Sequence, residues 1–174
     1  MKARPYTGNK DGVAKGRRAG MIAFIDEITK RSDGALWNNG DFGVRNMRGK
    51  ETLSVHATGR AVDLSYRHMK SIGKGTQTKG VPDARPIAVR WCRLLVKNAD
   101  LLGIECILDY FPEPHGRGWR CDRQDWVKYD VHTITGAPQG DWLHVELTPA
   151  MADDPVAVRK AFSQLVLLDS DTTA

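Results

Sequence analysis

The sequence has no long apolar run. None of its hydrophobic stretches approaches the roughly 18 consecutive apolar residues that a membrane-spanning helix requires. The opening residues, MKARPYTGNKDG, carry charge with no apolar segment behind them. We therefore expect no membrane insertion, no signal peptide, and synthesis in the cytoplasm.

Cysteine is scarce and follows no metal-binding pattern. The 174 residues include three cysteines, Cys92, Cys106 and Cys121, and none of them has the CxxC or CxxH spacing of a metal site. Three thiols cannot all pair with one another, which argues against a disulfide framework. We expect buried thiols in a reducing compartment, with a Cys106–Cys121 bridge as the alternative.

Excess positive charge is missing from most of the chain. Residues 1–31 hold eight Lys and Arg against three acidic residues, which accounts for the whole formal net charge of +5, and the other 143 residues hold 18 of each sign. A basic N-terminal arm and helix beside a neutral body is able to dock on a polyanion, such as an anionic cell wall, a nucleic acid or a membrane surface. The alternative is a solvated basic surface with no partner.

The length suits one compact domain, residues 1–174, and hydrophobic periodicity predicts its elements. Helices are expected over 13–30, between Asp83 and Gly103, and from Asp154-Pro155 through Val166. Strands are expected over 52–56, 60–65, 104–111 and 142–147. This order predicts an α+β domain, built on a small antiparallel sheet with flanking helices.

Three segments are expected to lie outside these elements. Residues 67–82 and 112–138 are rich in Gly, Pro and charge, and loops this long in a compact domain usually shape a site or are mobile. The tail 169–174 is expected to be the start of a linker.

His56 and Asp63 stand on either side of Thr58-Gly59. On one helix they would lie about 10 Å apart along the axis, and on one straight strand they would face opposite sides. A hairpin that turns at Thr58-Gly59 lets two strand arms present both side chains across the ladder, because glycine tolerates the backbone angles of a tight turn. That geometry places one imidazole and one carboxylate on a single ion.

The predicted strand 142–147 offers a third ligand. Alternation puts Trp142, His144 and Glu146 on one face. Two imidazoles and one carboxylate suit zinc, one ion per chain, and leave a fourth position for water, which is the catalytic arrangement. A carboxylate is then needed to take a proton from water. Asp141 is the nearest candidate, and Glu146, expected to point past the ion, is its rival.

Two segments of the chain resemble a known family. The residues SVHATGRAVD, from Ser54 to Asp63, are similar to the SxHxxGxAxD signature of the zinc peptidases that include the VanY-like D-alanyl-D-alanine carboxypeptidases and the phage L-alanyl-D-glutamate endopeptidases. The residues DWLH at 141–144 resemble the second motif of that family, an acid three residues before the last histidine. Many carboxypeptidase members carry Glu at that acid, and the phage branch more often carries Asp, so the likeness favours the phage branch.

The resemblance implies a hedgehog/DD-peptidase-like zinc fold, with zinc held by His56, Asp63 and His144 and with Asp141 as the general base. The family also has an arginine upstream of the first motif that binds substrate and steadies the oxyanion. The segment FGVR, which ends at Arg45, is similar to that region. Arg45 is therefore the candidate, with Arg48 as its substitute.

The implied function is hydrolysis of an amide bond in the peptide part of bacterial peptidoglycan. The resemblance implies a phage cell-wall lysin, made in the host cytoplasm and acting at the cell wall, with its basic arm on the anionic wall. Three alternatives are a bacterial D-alanyl-D-alanine carboxypeptidase, a zinc-bearing wall-binding module without catalysis, and a metal-dependent nuclease, suggested by the pI of about 9.2. Specific nucleic-acid binding is not expected, because the excess charge is confined to the arm and phosphoryl transfer more usually employs carboxylate-rich magnesium sites.

Overall fold

The computed structural model describes residues 2–47, 49–70, 78–131 and 139–165. The helices in these ranges are α1 (Ala19–Arg31), α2 (Arg85–Lys97), α3 (Ala99–Leu102), α4 (Pro149–Asp153) and α5 (Pro155–Ser163). The strands are β1 (Trp37–Gly40), β2 (Ala61–Ser65), β3 (Ile104–Asp109), β4 (Arg117–Arg120), β5 (Asp125–Lys128) and β6 (Trp142–Leu147). Among the described residues, no helix combines the length and the apolar character needed to cross a bilayer.

The strands form an antiparallel sheet in the order β1-β2-β6-β3-β4-β5. The strand β6 lies between β2 and β3, and its bounds are those predicted. The α+β prediction, a small antiparallel sheet with flanking helices, is confirmed. Strands β2 and β3 give β6 hydrogen bonds along both of its edges. Strand β6 is therefore a rigid base for a site.

The two faces of β6 have different roles. Leu143, Val145 and Leu147 are fully buried in the main hydrophobic core, together with Phe24 of α1 and Leu95 of α2. Burying an aliphatic or aromatic side chain of this size contributes about 1.5–3 kcal/mol. Because side chains alternate along a strand, the residues between them point to the opposite face, away from the helices.

The third predicted helix begins where its capping residues indicated. Asp154 Oδ1 accepts hydrogen bonds from the main-chain N–H groups of Val156 and Ala157, both at 2.9 Å. Pro155 occupies the first helical position, where the missing N–H has no consequence. The prediction for α5 is therefore confirmed at its N-terminus.

The other two predicted helices have different bounds. Helix α1 begins at Ala19 rather than at residue 13, because Arg18 has an extended backbone and Ala14 N donates to Ala57 O at 2.9 Å instead of to a helical carbonyl. The helix expected between Asp83 and Gly103 is split into α2 and α3 at Asn98. Its Nδ2 donates to a carbonyl of the last turn of α2 at 2.9 Å, and such side-chain bonds compete with helix continuation.

Part of the segment 112–138 forms a hairpin instead of a loop. Strands β4 and β5 pair at the edge of the sheet, with Trp119 opposite Trp126. Each strand has four residues, and sequences such as RGWR and DWVK offer too few positions for a period-two pattern to show. The same shortness hides β1 and α4. The cysteines are free and buried, so the Cys106–Cys121 bridge is not formed.

The N-terminal residues before α1 pack against the body. Ion pairs join Arg4 to Asp100, Arg17 to Asp41 and Arg18 to Asp153. Lys10 and Lys15 remain exposed. Much of the arginine charge of this segment is thus paired with acids of the same chain, and the exposed lysines carry the charge that is open to a partner.

A buried arginine ties this N-terminal segment to the sheet. Arg60 is fully buried, and its guanidinium donates to Asp11 at 2.8 Å, to Glu105 at 3.2 Å, and to the main-chain oxygens of Gly8 and Leu147. Five N–H donors in a fixed fork allow one residue to serve all these acceptors. Arg60 therefore links the N-terminal segment, β3 and the end of β6.

Replacing Arg60 with Met is expected to lower the free energy of unfolding by about 3–5 kcal/mol, since it leaves the buried Glu105 carboxylate without its cation. Denaturant unfolding in the presence of a chelator measures this without any metal contribution. Arg90→Met, on the exposed face of α2, is the matched control and should change the free energy by less than about 0.5 kcal/mol. An equal effect of both substitutions would contradict the role of Arg60.

Candidate metal centre

His56 lies in a short 3-10 helix, Val55–Thr58, so the strand predicted over 52–56 is wrong. Ser54 Oγ accepts a hydrogen bond from the main-chain N–H of His56 at 3.3 Å, and such local bonds compete with a strand ladder. Gly59 ends the turn with a φ of 70°, which glycine adopts without strain. The turn at Gly59 is confirmed, but it joins a 3-10 helix to β2 rather than two strand arms.

Asp63 and His144 are direct neighbours on adjacent strands of the sheet. They are directly paired on β2 and β6, and paired residues of an antiparallel sheet have Cβ atoms about 4.5–5.5 Å apart on the same face. The 3-10 helix brings His56 over this pair, with the ring centroids of His56 and His144 4.9 Å apart. The three side chains predicted as ligands therefore converge, although one of them arrives by a different backbone route.

The distances within this trio are those of ligands that share an ion. Asp63 Oδ1 lies 3.1 Å from His144 Nδ1 and 3.4 Å from His56 Nε2. Ligand atoms about 2.0–2.1 Å from one tetrahedral ion are about 3.3 Å from each other. One ligand atom of each residue lies within 4.8 Å of the others, and the group could hold a metal ion.

Charge also favours a cation at this position. Burial raises the pKa of Asp63, but its contacts with His144 and His56 outweigh burial and hold that pKa well below its usual range. Burial alone would lower the pKa of His144. The hydrogen bonds to Asp63 and Glu146 outweigh burial and raise this pKa to about 10. Metal ligation needs a neutral imidazole, so a cation binding at Nδ1 has to displace a proton.

Glu146 contacts the ring nitrogen of His144 that faces away from Asp63. Its Oε1 accepts from His144 Nε2 at 3.0 Å, and its Oε2 accepts from the Tyr6 hydroxyl at 2.8 Å. Glu146 is buried, with 4% of its surface exposed. The sequence places Glu146 on the face of His144 two residues along the strand, but contains no local signal for the contact with Tyr6. With both oxygens engaged behind the imidazole, Glu146 is poorly placed to reach a water molecule on an ion at Nδ1.

Asp141, the predicted base, immediately precedes β6 and is bound by an arginine. The guanidinium of Arg67 donates to both carboxylate oxygens, at 2.6 and 2.9 Å. The Asp141 side chain is 32% exposed and the Arg67 side chain 53%. Solvent therefore screens this ion pair, and the pair is able to open. Arg67 follows Asp63 by four residues, and no pattern in the sequence indicates its partner.

Arg45 is tied to the histidine-bearing turn through its backbone. Its main-chain oxygen accepts a hydrogen bond from Ser54 N at 3.0 Å, and its side chain is exposed. Arg48, the substitute, lies outside the described residues, as do the tail 169–174 and parts of the segments 67–82 and 112–138. The substrate-binding role of Arg45 stays a prediction.

Comparison with known proteins adds no relative to this picture. No family model, no curated protein and no solved structure matches the chain. The assignment of a function therefore depends on the residues of this chain and their arrangement.

Proposed function

We propose that this protein is a zinc-dependent peptidase in which His56, Asp63 and His144 hold one zinc ion. The observation that carries the proposal is the convergence of two imidazoles and one carboxylate within 4.8 Å, from a turn and two neighbouring strands. Zinc in hydrolases takes three protein ligands of these types and keeps a fourth position for water or substrate. The Asp63 side chain, 23% exposed, keeps the trio in reach of solvent.

Zinc bound there would polarise a carbonyl and lower the pKa of water to about 7. The protein's own residues supply the rest of the mechanism. Asp141 takes a proton from the attacking water and passes it to the leaving amine. Arg67 occupies one lone-pair direction on each oxygen of Asp141, so the proton is taken at a lone pair that Arg67 leaves open. Arg45 binds a substrate carboxylate or the developing oxyanion.

The proposed substrate is an amide bond in the stem peptide of bacterial peptidoglycan. Its support is the resemblance of the residues from Ser54 to Asp63 to the signature of cell-wall zinc peptidases, together with DWLH at 141–144. An Asp at position 141 favours the phage lysin over the D-alanyl-D-alanine carboxypeptidase. The protein would then be made in the host cytoplasm and act at the cell wall.

Digestion of purified peptidoglycan by the zinc-loaded protein, with the products weighed by mass spectrometry, tests this function. We expect cleavage within the stem peptide that is lost on chelation and restored by zinc, and the product masses identify the bond. Parallel incubation with DNA should give no cleavage. Zinc-loaded protein that leaves walls intact would indicate a binding module, and protein that cuts DNA instead would indicate a nuclease; either result refutes the proposal.

Neutralising the exposed lysines of the N-terminal segment, as Lys10→Gln with Lys15→Gln, is expected to weaken binding to purified walls at low salt. The difference should shrink at high salt, because exposed charges are screened. Cleavage of a short soluble peptide should be unchanged. Lys97→Gln with Lys160→Gln removes the same charge from α2 and α5 and is the matched control. Equal loss of wall binding in both double variants would show that net charge, not this segment, is responsible.

A further inference from the structure

His144 is contacted at both of its ring nitrogens. Asp63 Oδ1 lies 3.1 Å from Nδ1, and Glu146 Oε1 lies 3.0 Å from Nε2. An ionised carboxylate can only accept a hydrogen bond, so Nε2 carries a hydrogen and donates it to Glu146. The same reasoning puts a hydrogen on Nδ1, opposite Asp63, in the metal-free protein. A cation held by the trio would displace that hydrogen, because Nδ1 is the nitrogen that faces Asp63, and would leave the Nε2 hydrogen on Glu146.

Glu146 is itself held in one orientation. It lies in the middle of the sheet, paired with Ala61 on β2 and with Cys106 on β3. The Tyr6 hydroxyl donates to its second oxygen at 2.8 Å, and the guanidinium of Arg120 lies 4.2 Å from the centre of the Tyr6 ring. A continuous chain of hydrogen bonds therefore runs from Tyr6 through Glu146 to His144.

The residues on either side of Tyr6 fix its position on the sheet. Arg4 N donates to Cys121 O at 3.0 Å. Thr7 Oγ1 donates to Glu105 at 2.6 Å. The tyrosine is thus placed by main-chain and side-chain bonds before and after it, and does not depend on Glu146 alone for its location.

We propose that Tyr6 and Glu146 are positioning residues of the metal centre: they fix the ring orientation and tautomer of His144 so that Nδ1 is presented to the ion. The inference rests on the proposed function and extends it to the N-terminal segment. A carboxylate that accepts from the distal nitrogen of a histidine ligand fixes its tautomer and raises its basicity. Neither residue belongs to the trio that would hold the ion.

Two substitutions test this inference, each read by zinc affinity in a competition titration with a chromophoric chelator. Glu146→Gln keeps the size of the side chain but removes its charge, and zinc affinity is expected to fall by about 10–100-fold. Tyr6→Phe keeps the ring and removes the donor, and should give a smaller loss in the same direction. Tyr129→Phe, which removes a phenol from the residue after β5, is the matched control and should bind zinc as the wild type does.

Nitrogen-15 NMR of the histidine rings supplies a readout that loss of stability alone would not move. In the zinc-loaded wild type, we expect the His144 Nε2 to be protonated and Nδ1 to carry the metal signature. The Nε2 proton should move upfield in Glu146→Gln and, less, in Tyr6→Phe. Zinc on Nε2 in the wild type, or wild-type affinity in Glu146→Gln, would overturn the inference alone. A wild type that binds no zinc would overturn the proposed function as well.

Discussion

Replacing any one of His56, Asp63 and His144 with Ala is expected to abolish both zinc binding and hydrolysis. Each residue is one of only three proposed protein ligands, so its loss leaves two, too few to retain the ion against dialysis. Elemental analysis should find about one zinc per wild-type chain after metal-replete purification, and almost none in these variants. Peptide-bond cleavage in purified walls should fall to background.

His68→Ala is the matched control for this experiment. It removes an imidazole that follows β2 and is not a member of the metal-binding trio, and it should retain zinc. Thermal unfolding gives a second readout, since an ion that binds only the folded state stabilises it by mass action. Chelation should lower the unfolding temperature of the wild type and of His68→Ala, but not that of His144→Ala. Full zinc content in His144→Ala would refute the assignment.

Asp141→Asn is expected to keep zinc and the fold while the rate falls by about 10²–10⁴, the range typical of losing a general base. The amide has the size of the carboxylate but cannot accept a proton from water. Substrate binding need not suffer, because the group acts mainly in the transition state. Zinc analysis, circular dichroism and the rate on a soluble stem peptide measure the three properties separately.

Arg67→Ala separates loss of the base from loss of its ion pair. This variant removes the bidentate partner of Asp141 but keeps the carboxylate, so its rate should stay far above that of Asp141→Asn. If both variants lose the same activity, the ion pair rather than the proton transfer is what matters.

If Asp141→Asn stays active while Glu146→Gln, saturated with zinc, is inactive, the base is Glu146. If Asp141→Asn loses zinc, Asp141 is a ligand or holds one in place.

Strand β6 was predictable at both ends because its pattern is local. The alternation of Leu143, Val145 and Leu147 with polar residues states which face enters the core, and the same alternation puts His144 on the other face. The start of α5 was equally local, since Asp154-Pro155 supplies both the cap and the first turn. Where the determining contacts lie within a few residues, the sequence pattern was sufficient.

The turn that bears His56 shows where a local pattern misleads. The sequence predicts a hairpin because a hairpin is the simplest geometry that brings His56 and Asp63 to one ion. The chain uses a 3-10 helix capped by Ser54 instead, which places the His56 ring against that of His144. The prediction that His56 and Asp63 come together is confirmed. The need to come together did not determine which backbone conformation carries His56.

The surroundings of the metal centre depend on contacts between distant parts of the chain. Tyr6 meets Glu146 across 140 positions, and Arg67 meets Asp141 across 74. No periodicity or spacing rule links residues so far apart, because their proximity follows from how the strands are ordered in the sheet. Whether each carboxylate is free, paired or oriented by a neighbour was therefore hidden from the sequence.

By itself the sequence determined the α+β class, the strand β6, and the three side chains able to share an ion, since residue type, alternation and a glycine turn are local properties of the chain. The tertiary structure alone decided that β6 lies between β2 and β3, that the basic N-terminal segment packs onto the sheet, and that Glu146 is aimed at His144. These features arise when the core is buried and the strands are ordered. The physical reason is that burial and cross-strand pairing join residues by position in space, which local pattern does not encode.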